Sequence, residues 1–225
     1  MIKAIIFDFD GTISNRKMNA YGIFDDYLKP YFKDMSDLEF EAVLQDFLTD
    51  DCNGTINCKF RVPPFVAKYG KYLPEDFEEK FIEFYYEYMW KYAVLKPETK
   101  DVLDRLKGKY KMVIFSNGQS KSQHDKIDHV EVGEYFDDIV VSGDIGIGKP
   151  NKEAFELMAQ KMGVSCEECM VVGDVFSSDI LGAINSNMVP VWIVPDFEIP
   201  ARYYHGYRIQ RLDELFDILD KENSK

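Results

Sequence analysis

Five short apolar segments are separated along the chain by amphipathic segments, a pattern that indicates buried strands alternating with helices. Each apolar segment is a compact run of mostly β-branched residues, as expected for parallel strands covered on both faces. The predicted strands are Ile2–Phe7, Lys111–Phe115, Asp138–Ser142, Cys169–Gly173 and Val189–Val194. We therefore predict an α/β fold built on a doubly wound, mainly parallel sheet.

Amphipathic segments with helical spacing occupy the intervals between the later strands. Val102, Leu103 and Leu106 form one apolar stripe, which predicts a helix with a single buried face. Asn151 stands where the N-cap of a second helix is expected, and Gly163 stands where that helix would end. These helices complete the alternation of strands and helices that is typical of the α/β class.

The segment from residue 14 to about residue 95 interrupts this alternation with helical patterns alone. Ser36 and Glu39 form a capping box, and Pro74 is expected to open a long helix with aromatic residues at helical spacing. The segment carries 19 of the 33 aromatic residues of the chain, enough for a hydrophobic core of its own. We therefore predict an α/β core domain formed by residues 1–13 and 96–225, and an inserted all-helical cap domain formed by residues 14–95.

The composition of the chain excludes some classes of binding partner and indicates a cellular location. Among the 225 residues Asp and Glu outnumber Lys and Arg by 40 to 27, and the net charge of −13 argues against binding of a nucleic acid polymer or an anionic membrane. No apolar run approaches the roughly 18 residues that span a bilayer. Asp8 and Asp10 interrupt the apolar N-terminal segment too early for a secretory signal, and four cysteines are too few for a disulfide scaffold. We expect a cytoplasmic protein.

Two carboxylates, Asp8 and Asp10, directly follow the first predicted strand. Because side chains alternate along a strand, both point the same way at its carboxyl end, which is where ligands bind in open α/β sheets. Carboxylates that lie close together repel each other, and a bound cation or a retained proton relieves the repulsion. The pair therefore indicates a cation or proton site at this edge of the sheet.

Polar residues also follow three later strands. Ser116 and Asn117 close the second strand, Lys149 follows the third, and Asp174 and Asp179 follow the fourth. We expect all of them to meet at one edge of the sheet. Mg²⁺ prefers one or two carboxylates together with phosphate oxygens, and a lysine supplies a point charge suited to phosphate. The combination predicts a site for Mg²⁺ and a phosphoryl group.

The segment from Gly143 to Lys149 matches the GxxxxGK spacing of a nucleotide-binding P-loop. Pro150 stands where the P-loop requires the Ser or Thr that binds magnesium, and proline also lacks an N–H group. We therefore do not expect a P-loop nucleotide site.

Four short motifs, in this order, resemble those of the haloacid dehalogenase (HAD) superfamily of phosphohydrolases. They are DxDGT at Asp8–Thr12, S-N-G at Ser116–Gly118, K-P at Lys149–Pro150, and GD-x4-D from Gly173 to Asp179. The resemblance covers the whole chain, and the second half looks most similar to the branch of pyrimidine 5′-nucleotidases and phosphoglycolate phosphatases. It implies a HAD-like Rossmannoid core that carries a helical cap able to close over a small substrate.

The resemblance also implies a role for each matching residue. Asp8 would be the nucleophile that forms an aspartyl-phosphate, and Asp10 would be the general acid and then the general base. Ser116 and Asn117 would bind phosphoryl oxygens through the serine hydroxyl and neighbouring N–H groups. Lys149 would bind phosphate and stabilise the charge that develops on it.

The cofactor implied by the resemblance is Mg²⁺. Its ligands would be the Asp8 carboxylate, the backbone carbonyl of Asp10 and the Asp174 carboxylate, with Asp179 as a secondary contact. The second acid, Asp10, argues for phosphate chemistry because the dehalogenases of the family lack it.

Three functions remain open at this point. The first is Mg²⁺-dependent hydrolysis of a small phosphorylated metabolite, with a nucleoside 5′-monophosphate as one candidate substrate. A phosphomutase of the β-phosphoglucomutase type would have the same core and would transfer the phosphoryl group to a sugar hydroxyl. A phosphorylatable regulatory domain would also gather acids, Mg²⁺ and a lysine, but it would lack the insertion and Asp10. The sequence does not indicate the oligomeric state or the residues that set substrate specificity.

Overall fold

The structure is a computed structural model, and it describes residues 1–51, 56–194 and 202–225. The chain divides into two compact units. One unit consists of Met1–Ser14 and Leu95–Lys225, and the other consists of Asn15–Val94. The first unit contains the strands, and the second unit is helical.

The strands of the first unit form a six-stranded sheet with the order β3-β2-β1-β4-β5-β6. They are β1 (Ala4–Phe7), β2 (Lys111–Ser116), β3 (Asp138–Val141), β4 (Cys169–Gly173), β5 (Val189–Ile193) and β6 (Tyr207–Ile209). Every pair of neighbouring strands is parallel. All residues of β1 and β4 are buried, as the continuous apolar runs require. The predicted α/β fold with a parallel sheet is confirmed.

The helices lie in both units. In chain order they are α1 (Arg16–Ile23), α2 (Asp37–Asp50), α3 (Cys58–Tyr69), α4 (Phe77–Tyr88), α5 (Thr99–Leu106), α6 (Ser120–His129), α7 (Ser142–Ile145), α8 (Lys152–Met162), α9 (Leu181–Asn185) and α10 (Leu215–Asn223). A π-helical turn, Phe176–Ile180, directly precedes α9. The predicted stripe Val102, Leu103 and Leu106 is the buried face of α5.

Several details differ from the sequence prediction, and two of them are strand ends: β1 begins at Ala4 rather than Ile2, and β5 ends at Ile193 rather than Val194. Ser142, expected to end the third strand, begins the short helix α7, because the chain turns as soon as pairing with β2 ends at Val141. The helix expected to open at Pro74 begins at Phe77. Asn151 precedes α8 but makes no N-cap hydrogen bond; its side chain donates to the carbonyl of Gly148 at 2.7 Å.

The chain leaves the first unit and returns to it at adjacent points. Ser14 and Leu95 form an isolated antiparallel bridge. The Ile13 carbonyl accepts a hydrogen bond from the Lys96 N–H at 3.1 Å and another from the Thr99 hydroxyl at 2.9 Å. All of these residues belong to the first unit, so the two ends of the insertion lie side by side.

The helical unit has its own aromatic core. The aromatic stripe predicted for α4 places Phe77, Phe81 and Tyr85 in the interior. The rings of Phe77 and Phe81 stack with centroids 5.5 Å apart, and Phe47 meets the Phe81 ring edge-on. The predicted packing role of these aromatic residues follows from their burial.

A buried ionic cluster of Arg16, Asp51, Arg61 and Tyr85 lies inside the helical unit. Arg16 donates to both carboxylate oxygens of Asp51, at 2.9 and 2.8 Å, and to the Tyr85 hydroxyl at 2.7 Å. Arg61 also donates to Asp51, and its guanidinium lies 4.4 Å from the centroid of the Tyr85 ring. Burial opposes the charge of Asp51, but the two arginines outweigh it and lower the pKa of the carboxyl. Asp51 therefore compensates two buried guanidinium groups.

Replacing Asp51 by alanine is expected to lower the free energy of unfolding by about 3–5 kcal/mol, because it leaves Arg16 and Arg61 buried without their shared counter-charge. Urea unfolding of the full chain, followed by circular dichroism, measures the loss. Asp76→Ala is the matched control because Asp76 pairs with Lys80 at an exposed position, and it is expected to change the midpoint little. Equal midpoints for the two variants would contradict a structural role of the cluster.

Candidate active site

Asp8 lies at the carboxyl end of β1, which is a central strand of the sheet. It directly follows β1, and its N–H donates to the carbonyl of Val172 on β4 at 2.9 Å. β1 lies between β2 and β4 in the sheet, and the Asp8 side chain meets Lys149, which follows β3, and Asp174 and Asp179, which follow β4. Asp8 is 8% exposed. It is a buried carboxyl group at the edge of the sheet where α/β proteins bind ligands.

The Lys149 ammonium lies between two carboxylates. Its Nζ donates to Asp8 Oδ1 at 2.5 Å and forms an ion pair with Asp179 Oδ1 at 2.7 Å. The Asn117 amide holds the backbone of Lys149 on both sides. Its Nδ2 donates to the Lys149 carbonyl, and its Oδ1 accepts from the Lys149 N–H, both at 2.9 Å. The S-N-G and K-P motifs are thus joined directly.

Asp8, Asp174 and Asp179 form a buried cluster of acids. One carboxylate oxygen from each lies within 4.8 Å of the other two. Asp179 Oδ2 accepts the Val175 N–H at 2.9 Å, which fixes the side chain beneath the turn that follows β4. Gly11 makes room for Asp174, because a Cβ at position 11 would lie 2.3 Å from Asp174 Oδ2. The arrangement depends on glycine at position 11, where φ is +87°.

Burial controls the protonation of this cluster. It raises the pKa of Asp8 to about 7, against the opposing effect of Lys149. Burial, together with the charges of Asp8 and Asp179, raises the pKa of Asp174 well above its ordinary value. Burial also opposes the charge of Lys149, but Asp179 and Asp8 outweigh it and raise the pKa of the ammonium. All three acids therefore interact with the Lys149 ammonium, and when all three are ionised their negative charge exceeds its single positive charge.

The cluster fits a small divalent cation. Its donors are carboxylate oxygens, the ligands that Mg²⁺ prefers. Asp174 Oδ1 is buried and has no hydrogen-bond partner among the described residues. A buried acceptor without a donor is costly, and a bound cation would satisfy it.

Asp10 lies beside this cluster and is held by α6. Its charge contributes to the raised pKa of Asp8. Gln123 Nε2 lies 3.0 Å from Asp10 Oδ2 and 2.8 Å from the Ser116 hydroxyl, and Lys126 Nζ donates to the same Asp10 oxygen. The structure thus brings together every residue that the sequence singled out, and it adds Gln123 and Lys126.

Gln123 and Lys126 were missed from the sequence because α6 has few apolar residues and looks solvated. A signal was present in their spacing. They lie three residues apart, on one face of the helix that directly follows the S-N-G motif, and Ile127 marks the same side as buried. A polar helix that starts at a predicted site is expected to turn some polar residues toward it.

The parallel sheet with buried acids and a lysine at its carboxyl edge defines an α/β enzyme core. A family model described as haloacid dehalogenase-like hydrolase matches residues 2–187. The chain belongs to this family, and the family recognised from the four motifs is confirmed. The expectation of an enzyme of this hydrolase family, with relatives named as phosphatases, is also confirmed.

Two curated relatives differ in how much of the chain they match. The glyceraldehyde 3-phosphate phosphatase of Methanocaldococcus jannaschii is 29% identical over 97% of both chains. The pyrimidine 5′-nucleotidase YjjG of Escherichia coli is 31% identical over 56% of each chain.

Among solved structures, the magnesium-bound HAD-hydrolase YfnB of Bacillus subtilis has the same fold. The TM-score is 0.76 at 22% identity, and the match covers 97% of this chain and 99% of YfnB.

Among the described residues, every helix is too short or too polar to cross a bilayer.

Proposed function

We propose that this protein is a Mg²⁺-dependent phosphatase that hydrolyses a small phosphomonoester through an aspartyl-phosphate on Asp8. The observation that carries the proposal is the buried Asp8 carboxylate, which Lys149 contacts at 2.5 Å and which lies within a cluster of two further acids. A carboxylate at the carboxyl edge of the sheet, beside a fixed ammonium, is suited to attack a phosphoryl group.

In the first half-reaction an Asp8 carboxylate oxygen forms a bond to phosphorus while the bond from phosphorus to the leaving oxygen breaks. Asp10 donates its proton to that oxygen, so the product leaves as an alcohol. Lys149 offsets the repulsion between Asp8 and the phosphate, because its ammonium is held against Asp8 Oδ1.

In the second half-reaction a water attacks the phosphorus of the aspartyl-phosphate, and Asp10 accepts the proton of that water. The bond between phosphorus and the Asp8 oxygen breaks, which releases inorganic phosphate and regenerates the Asp8 carboxylate. One residue serves as acid and then as base because its protonation state is reversed after the first step.

Phosphate binding is assigned to the S-N-G motif and Lys149. The Ser116 hydroxyl, already held by Gln123 at 2.8 Å, is oriented at the end of β2. The side-chain amide of Asn117 is hydrogen-bonded to the Lys149 backbone, so Asn117 would contact phosphate through its backbone N–H.

Asp8 and Asp174, with the backbone carbonyl of Asp10, would hold Mg²⁺, and Asp179 would contribute a secondary contact. When bound, the ion supplies positive charge that neutralises the phosphoryl oxygens. The unpartnered Asp174 Oδ1 and the three clustered carboxylates support this assignment.

The substrate class is a small phosphorylated metabolite. The glyceraldehyde 3-phosphate phosphatase matches over 97% of the chain, a share that takes in the insertion, whereas the nucleotidase matches over 56% of it. We therefore rank a triose phosphate first and a pyrimidine nucleoside 5′-monophosphate second. An intracellular location, in the cytoplasm, suits a metabolite of either kind and stays a prediction.

Release of inorganic phosphate tests the function. The purified protein is incubated with glyceraldehyde 3-phosphate, pyrimidine nucleoside monophosphates, phosphoglycolate and hexose phosphates, each with Mg²⁺ and with excess chelator. Release from at least one substrate, abolished by the chelator and restored by Mg²⁺, is the expected result. Phosphoryl exchange between positions of a sugar phosphate without net release, followed by ³¹P NMR, would instead identify a phosphomutase.

The response to Mg²⁺ is expected to depend on pH. Because the pKa of Asp8 is about 7 in the folded protein and 3.8 as the ordinary value, the stability that this group contributes is present below about pH 4 and is lost as pH rises through about 7. Mg²⁺ competes with protons for the same carboxylates, so it should stabilise the protein at about pH 8 and much less at about pH 5.5.

Thermal melting with Mg²⁺ and with chelator at the two pH values measures this effect. At a Mg²⁺ concentration of about 100 Kd the gain is about 2.7 kcal/mol, a shift of several degrees at about pH 8. Asp174→Asn is expected to reduce the shift strongly. An equal shift at both pH values would contradict the role of the buried acids in binding the ion.

A further inference from the structure

Helix α6 buries two polar side chains, Gln123 and Lys126, that take no chemical step in the mechanism above. Gln123 is 4% exposed and Lys126 is 2% exposed, and they lie one helical turn apart on the same face. Burying an ammonium group is costly unless it is paired and hydrogen-bonded. The group that compensates this cost is the Asp10 carboxylate in the candidate active site.

Both side chains converge on a single oxygen of Asp10. Lys126 Nζ donates to Asp10 Oδ2, and Gln123 Nε2 lies 3.0 Å from the same atom. The Gln123 amide also reaches the Ser116 hydroxyl at 2.8 Å and the Asn117 carbonyl at 3.0 Å. One amide group therefore links the proposed acid of the first motif to the proposed phosphate contact of the second.

Glycine at position 118 leaves room for the Gln123 side chain. Gly118 has φ of +152°, and a Cβ at this position would lie 2.9 Å from Gln123 Cγ. Any larger residue would push Gln123 away from Asp10 and Ser116. The glycine of the S-N-G motif therefore makes room for the side chain that joins the two motifs.

We propose that Lys126 and Gln123 are positioning residues that hold the Asp10 carboxyl group in the orientation needed for proton transfer and fix it relative to Ser116. This inference rests on the proposed function. A carboxyl group held by two donors on one oxygen cannot rotate freely. Proton transfer needs a donor within hydrogen-bond distance of the leaving oxygen, so loss of orientation is expected to slow the reaction where protonation matters.

Leaving-group dependence separates this role from a merely structural one. An alkyl phosphate such as glycerol 3-phosphate needs its leaving oxygen protonated, whereas p-nitrophenyl phosphate releases a stable anion. Lys126→Met keeps the length of the side chain and removes the ammonium. We expect it to lower kcat/KM for the alkyl phosphate by about 30- to 100-fold, and for p-nitrophenyl phosphate by less than about 3-fold.

The constant kcat for p-nitrophenyl phosphate provides a second readout. It includes hydrolysis of the aspartyl-phosphate, in which Asp10 acts on water, so it is expected to fall although kcat/KM is nearly unchanged. An equal fall in kcat/KM for both substrates would overturn the proposal, because a structural or binding defect does not distinguish leaving groups.

Two further variants complete the test, one as a control and one as a second probe of the link. Lys121→Met makes the same substitution on the same helix at an exposed position, where Lys121 pairs with Asp125, and it is expected to leave both substrates unaffected. Gln123→Met removes the link to Ser116 without burying or removing a charge. It is expected to give the same leaving-group pattern with about a 10-fold effect, and it keeps the test available if Lys126→Met does not fold.

A crystal structure of Lys126→Met supplies a readout that does not depend on activity. The Asp10 carboxylate is expected to rotate away from Gln123, and an unmoved carboxylate would overturn the proposal. If the unaltered protein releases phosphate from neither of these substrates nor from any substrate of the panel above, the proposed function fails, while the position of Asp10 still decides whether Lys126 holds it.

Discussion

Asp8→Asn is expected to abolish phosphate release, with a loss of at least about 10⁴-fold in kcat. The amide has nearly the same size as the carboxyl group and can still accept a hydrogen bond from Lys149, but it is neutral and a poor nucleophile. Phosphate release on the best substrate measures the loss. Mass spectrometry of the acid-quenched unaltered protein should also detect a phosphoryl adduct on the peptide that contains Asp8.

Asp8→Asn is expected to raise the stability of the metal-free protein although it abolishes activity. A loss of activity in this variant therefore cannot be attributed to unfolding. Asp8→Asn removes one of three buried acids whose burial and mutual repulsion raise the pKa of Asp8 and Asp174. The metal-free variant is therefore expected to melt at a higher temperature than the unaltered protein at about pH 8. A folded Asp8→Asn protein that retains hydrolysis would remove Asp8 as the nucleophile.

Lys149→Met is expected to lower kcat/KM by about 10²- to 10³-fold, because it removes the ammonium that separates Asp8 and Asp179. It also leaves three buried acids without their cation, so the metal-free protein is expected to be less stable at about pH 8 than at about pH 6. Steady-state kinetics and urea unfolding at the two pH values measure these effects.

Lys152→Met is the matched control for Lys149→Met. Lys152 begins α8, three residues from Lys149, and pairs with Glu156 at an exposed position. It is expected to leave kcat/KM unchanged. If Lys149→Met stays within a few-fold of the unaltered protein, the charge of Lys149 has no part in the reaction.

The buried strands were predictable because burial on both faces leaves a local trace. β1 and β4 are short apolar runs, and a strand in the middle of a parallel sheet needs such a run whatever surrounds it. β6 was not predicted, because Tyr207–Ile209 pairs only with β5 at the edge of the sheet and includes the exposed Arg208. Three residues of mixed polarity carry no periodic signal, and neighbouring structure determines their conformation.

The candidate site was likewise predictable only in part, because some of its contacts join residues that are far apart in the sequence. The grouping of Asp8, Lys149, Asp174 and Asp179 was predictable, because the carboxyl ends of parallel strands meet at one edge. The burial of Lys126 was not, because it depends on Asp10, 116 residues earlier in the chain. The use of the Asn117 amide to hold Lys149 likewise depends on a loop 32 residues away.

The bridge between Ser14 and Leu95 makes the enzyme modular. Because both ends of the insertion are fixed side by side, a segment of different length and sequence can be grafted between them with little extra cost in chain entropy. The residues described for the aromatic core and the Arg16–Asp51–Arg61 cluster all belong to the exchanged segment. Chimeras that splice at these two positions are therefore expected to keep both hydrophobic cores intact.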